Sequence, residues 1–320
     1  MNAALAVPGV LFPVFFMLAL GAARRRTGFF REEAAKGLNR LVFHGALPCM
    51  LVDSISTAAV ADRSARTSLA LALATLATAA AGWVLAKPLG IPRASRGTFC
   101  QTVLRSNNAY IGIPVMASAF AVRPDLAAEG MPLAVMTLAP CLLLYNLLGV
   151  AFLTRPGDGD SIRVRAWRVA SGIARNPLIL ACLAGLALLY AREKWGFALP
   201  MPIARTVSCF GGMATAGSLL ALGASLTPER VKAARGGAFA AAFVKLAVCP
   251  LVGLATCAAL GLGGLHMFVV LAFLACPSAV ASYVMAEEMG GDARLAGAAV
   301  ALTTVLSSIS LGLVLLFALP

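Results

Sequence analysis

The sequence predicts an all-α membrane protein with ten transmembrane helices in two inverted five-helix repeats, the fourth and ninth helices being broken. Three observations predict it. The composition is 60% hydrophobic and only 12% charged, where soluble domains run near 25% charged. The chain divides into ten apolar runs of about spanning length. Its basic residues concentrate in alternate loops.

The first run, 5–23, has no Lys or Arg before it, and Arg24, Arg25 and Arg26 follow it. A signal peptide carries its positive charge first. The run is therefore expected to stay as a span, with the N-terminus outside. The second run, 37–56, holds His44 and, near its outer end, Asp53. The third covers 67–90. The fourth, 97–121, contains the polar stretch from Arg105 to Pro114, and the fifth, 131–153, is interrupted by Tyr145 and Asn146. Segment 161–175 alternates Ile162, Val164, Trp167, Val169 and Ile173 with Arg163, Arg165, Arg168 and Arg175, as an amphipathic helix on a membrane face would. The sixth span, 177–192, is short and is expected to begin inside that stretch. The seventh covers 202–226. The eighth, 237–260, holds Lys245, the ninth, 264–288, is interrupted at Pro277, and the tenth covers 293–318.

Loops after odd-numbered spans, with the span ends beside them, hold eighteen basic residues, and those after even-numbered spans hold six. This bias predicts a multi-pass protein of the cytoplasmic membrane with both termini outside. Five is odd, so the two halves, 1–153 and 177–320, must be inverted about a cytoplasmic linker, 154–176. Pro114 and Pro277 are 163 positions apart, and Pro88 and Pro250 are 162 apart, at matching ranks in their halves. Inverted repeats with paired broken helices are a recurring plan of secondary transporters.

The stretch 105–114 carries the chemistry. Asn107 and Asn108 bring amide donors and acceptors that lipid cannot satisfy. Gly112 relieves the backbone, and Pro114 removes a donor and disturbs the carbonyl of Tyr110. The helix is expected to open between Asn107 and Pro114, presenting free amides suited to an anion. Pro277 repeats the device, with Ser278 and Ser282 on one face beyond it. Arg105 either snorkels to the interface or grips a carboxylate. Lys245 is expected to reach the same interface.

These residues resemble the auxin efflux carrier family. The resemblance rests on Asn107-Asn108-Ala109-Tyr110-Ile111-Gly112-Ile113-Pro114, on Ala275-Cys276-Pro277-Ser278-Ala279-Val280-Ala281 with Gly290-Gly291-Asp292, on Asn176-Pro177-Leu178-Ile179-Leu180, and on Leu222-Gly223-Ala224-Ser225-Leu226. It implies a bile-acid-symporter-like fold, with crossing broken helices and a scaffold beside a moving transport domain. It also implies substrate contacts at Asn107, Asn108, Tyr110, Asn146 and Ser278, with Arg105 a further candidate. Relatives with a short central loop are associated with malonate, malate or related carboxylates.

The expected function is a secondary carrier of a small organic anion, such as malonate or malate. The alternatives are a membrane sensor that binds without transport, or an efflux carrier of aromatic or indole acids. Eight cysteines without a CxxC pair and two distant histidines give no metal site, catalytic residue or cofactor. No nucleotide-binding loop is present. The net charge of +13 is spread over loops rather than gathered into a nucleic-acid groove. Expected partners are the anion, the lipid bilayer, a coupled H+ or Na+, and a second copy in a homodimer.

Overall fold

A computed structural model describes residue 12 and residues 16–25, 27–28, 30, 32–57, 65–154, 162–225 and 228–320. Within these, the chain is helical and contains no strand. Part of the expected first span and the 155–161 part of the linker lie outside the described residues.

Helix α1 covers 16–25. Helix α2 runs 32–56 as Glu32–Leu41, a wide turn Val42–Ala46, and Leu47–Ser56. Then come α3 (Ala65–Ala86), α4 (Arg96–Leu104), α5 (Ile113–Val122), α6 (Pro124–Leu153), α7 (Ile162–Arg175), α8 (Pro177–Trp195) and α9 (Met201–Ser225). Helix α10 runs 228–259 as Pro228–Phe243, a wide turn Val244–Val248, and Cys249–Ala259. The chain closes with α11 (Gly264–Ala275), α12 (Val280–Glu288) and α13 (Ala293–Phe317).

Among the described residues, five helices are each long and apolar enough to cross a bilayer: α3, α6, α9, the 236–259 part of α10, and α13. Their outward faces are apolar. Leu69, Leu73 and Leu76 on α3, and Ile309, Leu313 and Leu316 on α13, are all exposed. Soluble proteins rarely leave such a stripe uncovered, whereas lipid covers it without cost.

Each of three wide turns comes just before a proline. Leu47 N–H donates to Val42 O, Ile113 N–H to Asn108 O, and Cys249 N–H to Val244 O, each five residues back. The next residues are Pro48, Pro114 and Pro250. A proline has no N–H and its ring crowds the carbonyl four residues earlier, so the preceding turn widens to relieve both. Pro88 instead ends α3 in a turn closed at Gly90, where φ is +72°. The two prolines of that pair therefore share rank but not role.

The linker helix α7 does not run into α8, contrary to expectation. Asn176 is extended (φ −75°, ψ 123°), and its side chain accepts from Leu178 N and Ile179 N. Pro177 follows it as the first helical residue. An asparagine cap before a proline is a strong helix start, so α8 begins anew at Pro177.

The helices pack as two groups. In the first, α2 lies against α8 and α9, and α1 meets α9 at backbone distance. A Cβ on Gly223 would stand 2.2 Å from Leu18 O, and one on Gly21 would stand 2.4 Å from Leu220 O. Close approach through small residues is how helices adhere without a hydrophobic drive between them. The second group joins α3 to α4, α6 and α10, and α13 to α10, α11 and α12. The groups meet where α9 and α2 face α12, and where α6 faces α8.

Candidate functional site

Two helices of the second group stop and restart in mid-course. Helix α4 ends at Leu104 and its continuation resumes with the wide turn Asn108–Gly112. Helix α11 ends at Ala275 and α12 starts at Val280. Arg105, Cys276 and Ala279 are extended, and the two stretches lie side by side, with Ser106 and Ser278 forming an isolated antiparallel bridge. Asn107 N–H donates to Pro277 O at 2.8 Å, and Ala279 N–H donates to Arg105 O at 2.8 Å. Backbone that leaves a helix in an apolar interior needs new partners, and each break supplies them to the other.

The break before α5 therefore falls at 105–107, upstream of the expected opening between Asn107 and Pro114. Pro114 acts one turn later and sets the widened turn. Gly112 makes room there: a Cβ would stand 3.0 Å from the Phe273 ring and 3.1 Å from Cys276 Sγ. Of the amides expected to face an anion, that of Asn107 is instead used between the breaks. Pro277 does sit within the second break, as expected. Helix α13 completes that break, since Thr303 Oγ1 accepts from Ser278 N–H at 3.1 Å and Ser310 Oγ donates to Ala275 O at 2.8 Å.

A small cavity, of ≈ 50 Å³, opens between the first break and the first helix group. Arg105, Ser106, Asn107 and Asn108 line its polar end. Leu47, Met50 and Leu51 of α2, Leu142 of α6, Leu178 of α8 and Ala214 of α9 line much of the rest. Small-molecule sites have this make-up, an apolar cleft with a few convergent polar groups.

Arg105 is buried, and its Nη1 donates to Met285 Sδ at 2.8 Å. It does not snorkel. A thioether is a weak acceptor, and no carboxylate lies within ion-pair distance of Arg105 among the described residues. Asn108 Nδ2 donates to Tyr145 OH at 3.3 Å, while its Oδ1 is buried without a partner. Buried polar atoms are rarely left so, and several gather here.

Asn146 stands behind this wall, its Nδ2 donating to Leu142 O at 3.0 Å and to Cys182 Sγ at 3.3 Å. It ties α6 to α8, and only its Oδ1 is unpaired. Ser278 Oγ and Ser282 Oγ are buried without partners, and neither residue lines the cavity. Tyr110 lies in the wide turn, and its side chain is outside what is described. Arg105, Asn107 and Asn108 are thus brought together at the cavity, and Asn146 and Ser278 are set back from it.

Lys245 corrects the sequence reading. It is fully buried in the wide turn of α10 rather than at an interface, and its Nζ donates to Ser106 Oγ. A signal for this existed. Lys245 lies nine residues into the 236–259 segment, roughly 14 Å along its axis, which is deeper than a lysine stem reaches. Tyr145, flagged only as an interruption of its span, and Ser218, which carried no signal, also line the cavity.

Comparison with known proteins agrees with this architecture. Residues 7–315 match the family described as membrane transport protein. An uncharacterized transporter of Methanothermobacter thermautotrophicus is 25% identical over 304 residues, covering 94% of each chain. A probable auxin efflux carrier component of Oryza sativa subsp. japonica is 25% identical over 351 residues, again covering 94% of each. An uncharacterized transporter of Methanocaldococcus jannaschii is 21% identical over 308 residues, covering 95% of this chain and 96% of its own. With paired helix breaks inside an apolar helical body, and a family match that spans nearly all of it, this chain belongs to the membrane transport protein family of the auxin efflux carriers.

Proposed function

We propose that the protein is a secondary carrier that moves a small organic anion across the cytoplasmic membrane by alternating access. The observation that carries this reading is Arg105, a buried guanidinium with no carboxylate partner among the described residues, opening with Asn107 and Asn108 onto a cavity between two helix groups. A buried cation calls for an anion. A guanidinium pairs with a carboxylate through two parallel bonds, and the asparagine amides extend that contact.

The division of the helices supports the transport reading. Helices α1, α2, α8 and α9 form the static side, and the helices bearing the breaks move against it. In this reading the chain crosses the membrane ten times as two inverted repeats with both termini outside, which accords with the alternation of basic loops. The substrate class proposed is a carboxylate of malonate or malate size.

The apolar wall of Leu47, Met50, Leu51, Leu142 and Leu178 favours a second reading, a carboxylate with an aromatic or indole body. The rice relative is itself described as a probable auxin efflux carrier. A thermal-shift screen of malonate, malate, succinate and indole acids, followed by flux into proteoliposomes, separates the two. Saturable carboxylate flux is expected. Binding without flux would favour a sensor, and stabilisation by cations but not anions would overturn the anion assignment.

A further inference from the structure

Among the described residues, Lys245 is the one buried cation for which the pocket gives no account. It does not line the cavity. Its contact is with Ser106, a residue of the cavity wall, so Lys245 stands one residue behind that wall. The elements packed around its turn are α4, α11 and α13. Their titratable groups are Arg96 and Cys100 on α4, His266 on α11, and Arg294 on α13. His266 is occupied at the start of α11 with Thr67, at 2.7 Å. Cys249 on its own helix and Cys276 at the second break are the titratable groups facing the ammonium. Helix α3, against the far half of α10, adds Arg66. None of α3, α4, α11 or α13 contains an Asp or Glu. Glu229 on α10 is sixteen residues away, about 24 Å along a helix. Asp292, capping α13, is held by Ser95 Oγ at 2.7 Å and Leu295 N at 3.1 Å.

Two cations thus flank one break, Arg105 beside the cavity and Lys245 behind it. They differ in one chemical respect. A guanidinium keeps its proton under all working conditions, whereas an amine can give its proton up. The partner of Lys245 suits both forms: a serine hydroxyl accepts from an ammonium and donates to a neutral amine. A carboxylate partner would have fixed the charge instead.

Resting on the carrier reading, we infer that Lys245 is the proton carrier of the transport cycle, taking up one proton when the anion binds and releasing it to water when the anion leaves. The step balances as R–NH2 plus H+ giving R–NH3+, with no other bond made or broken. With a monoanion bound, Arg105, Lys245 and substrate sum to one positive charge. With the site empty and Lys245 neutral, Arg105 alone gives the same charge. For a monocarboxylate, loaded and empty forms then cross the membrane interior at equal electrostatic cost, and for a malonate-like dianion the loaded form is neutral. Were Lys245 always charged, the empty form would carry two uncompensated cations through an apolar interior, where each costs several kcal/mol. By linkage, a bound proton raises anion affinity and a bound anion raises proton affinity by the same factor.

The test uses the full-length protein in proteoliposomes with a trapped pH dye. The tracer is whichever of labelled lactate, malonate or malate shows saturable exchange, corrected for protein-free vesicles. Exchange of none of them overturns the carrier reading and this inference together. Given exchange, an inward proton gradient is expected to drive accumulation approaching about tenfold per pH unit, with proton entry reported by the dye. In Lys245→Arg the cation is permanent, so exchange persists while the ratio of net uptake to exchange falls at least about tenfold. Should the arginine not fit, Lys245→Met is expected to abolish the response of net uptake to the gradient. Wild-type net uptake that ignores the gradient and moves no protons overturns the inference alone. So does a Lys245→Arg protein that keeps the wild-type gradient response.

Discussion

The two helix breaks contact each other through the same backbone pairing, yet they are built from opposite materials. The first, around Arg105, Ser106 and Asn107, presents its side chains to a cavity and holds a cation on either side. The second, Cys276 to Ala279, shows the cavity only Ala279, and its loose backbone is secured by Thr303 and Ser310 of α13. In the proposed reading, one break carries the ligand chemistry while the other serves as its template. Matching prolines therefore do not imply matching duties. A repeat can preserve a backbone device in both halves while the side chains at each copy diverge to separate tasks.

Removing Arg105 should have the largest effect. Arg105→Gln keeps length and some hydrogen bonding but deletes the charge, and truncating one side of a buried charge pair costs about 2–5 kcal/mol. Anion affinity by thermal shift or saturable uptake should fall at least about thirtyfold. Arg105→Lys should not restore it, because an ammonium lacks the planar fork. Full uptake by Arg105→Gln would remove the division of labour between the breaks, since the first would then hold no essential ligand chemistry.

Thr303→Val probes the template side. The isosteric change leaves the Ser278 N–H buried with no acceptor, at a cost of about 1–3 kcal/mol. The melting temperature should drop while substrate affinity of the folded protein stays near wild type. Loss of affinity without loss of stability would show that the second break also shapes the ligand contact.

How much of this was legible before the structure depended on the range of the interaction. Short-range rules placed the helices well. Asn176 and Pro177 mark the start of α8 through capping and a missing N–H, though the amphipathic run before them masked the boundary. Asn107, Asn108 and Pro277 marked the two breaks to within a few residues. Pro114 was misread because a proline can be absorbed by widening the preceding turn instead of opening the helix, and the choice depends on what packs beside it. Here the turn is seated against Phe273 and Cys276, 160 or more residues away in sequence. Lys245 was misread for the same reason. Its partner, Ser106, is 139 residues distant, and no local periodicity encodes that meeting.

Asn108→Ala should weaken the ligand side by a smaller amount. Its Nδ2 bond to Tyr145 is long at 3.3 Å, and its Oδ1 has no protein partner. The amide is therefore held loosely and is available to a ligand. Loss of one neutral hydrogen bond is worth about 0.5–1.5 kcal/mol, so affinity should fall roughly three- to tenfold with little change in stability. Unchanged saturable uptake would remove Asn108 from the site.

The smallest effect is expected at Ser278, and it is the sharpest test of the comparison. Ser278 and Ser106 are bridge partners, yet Ser106 Oγ accepts from Lys245 while Ser278 Oγ is buried with no partner. Deleting a buried hydroxyl that makes no bond removes a desolvation cost and sacrifices nothing. The Ser278 N–H, which Thr303 needs, survives in alanine. Ser278→Ala should therefore leave uptake within about twofold of wild type and hold or slightly raise the melting temperature. Ser106→Ala, by contrast, strips Lys245 of its acceptor and should cost about 1.5–3 kcal/mol, as loss of a hydrogen bond to a charged group does. If the two serines respond alike, the breaks are chemically equivalent. If only Ser106 matters, the backbone pairing is shared and the chemistry belongs to one side.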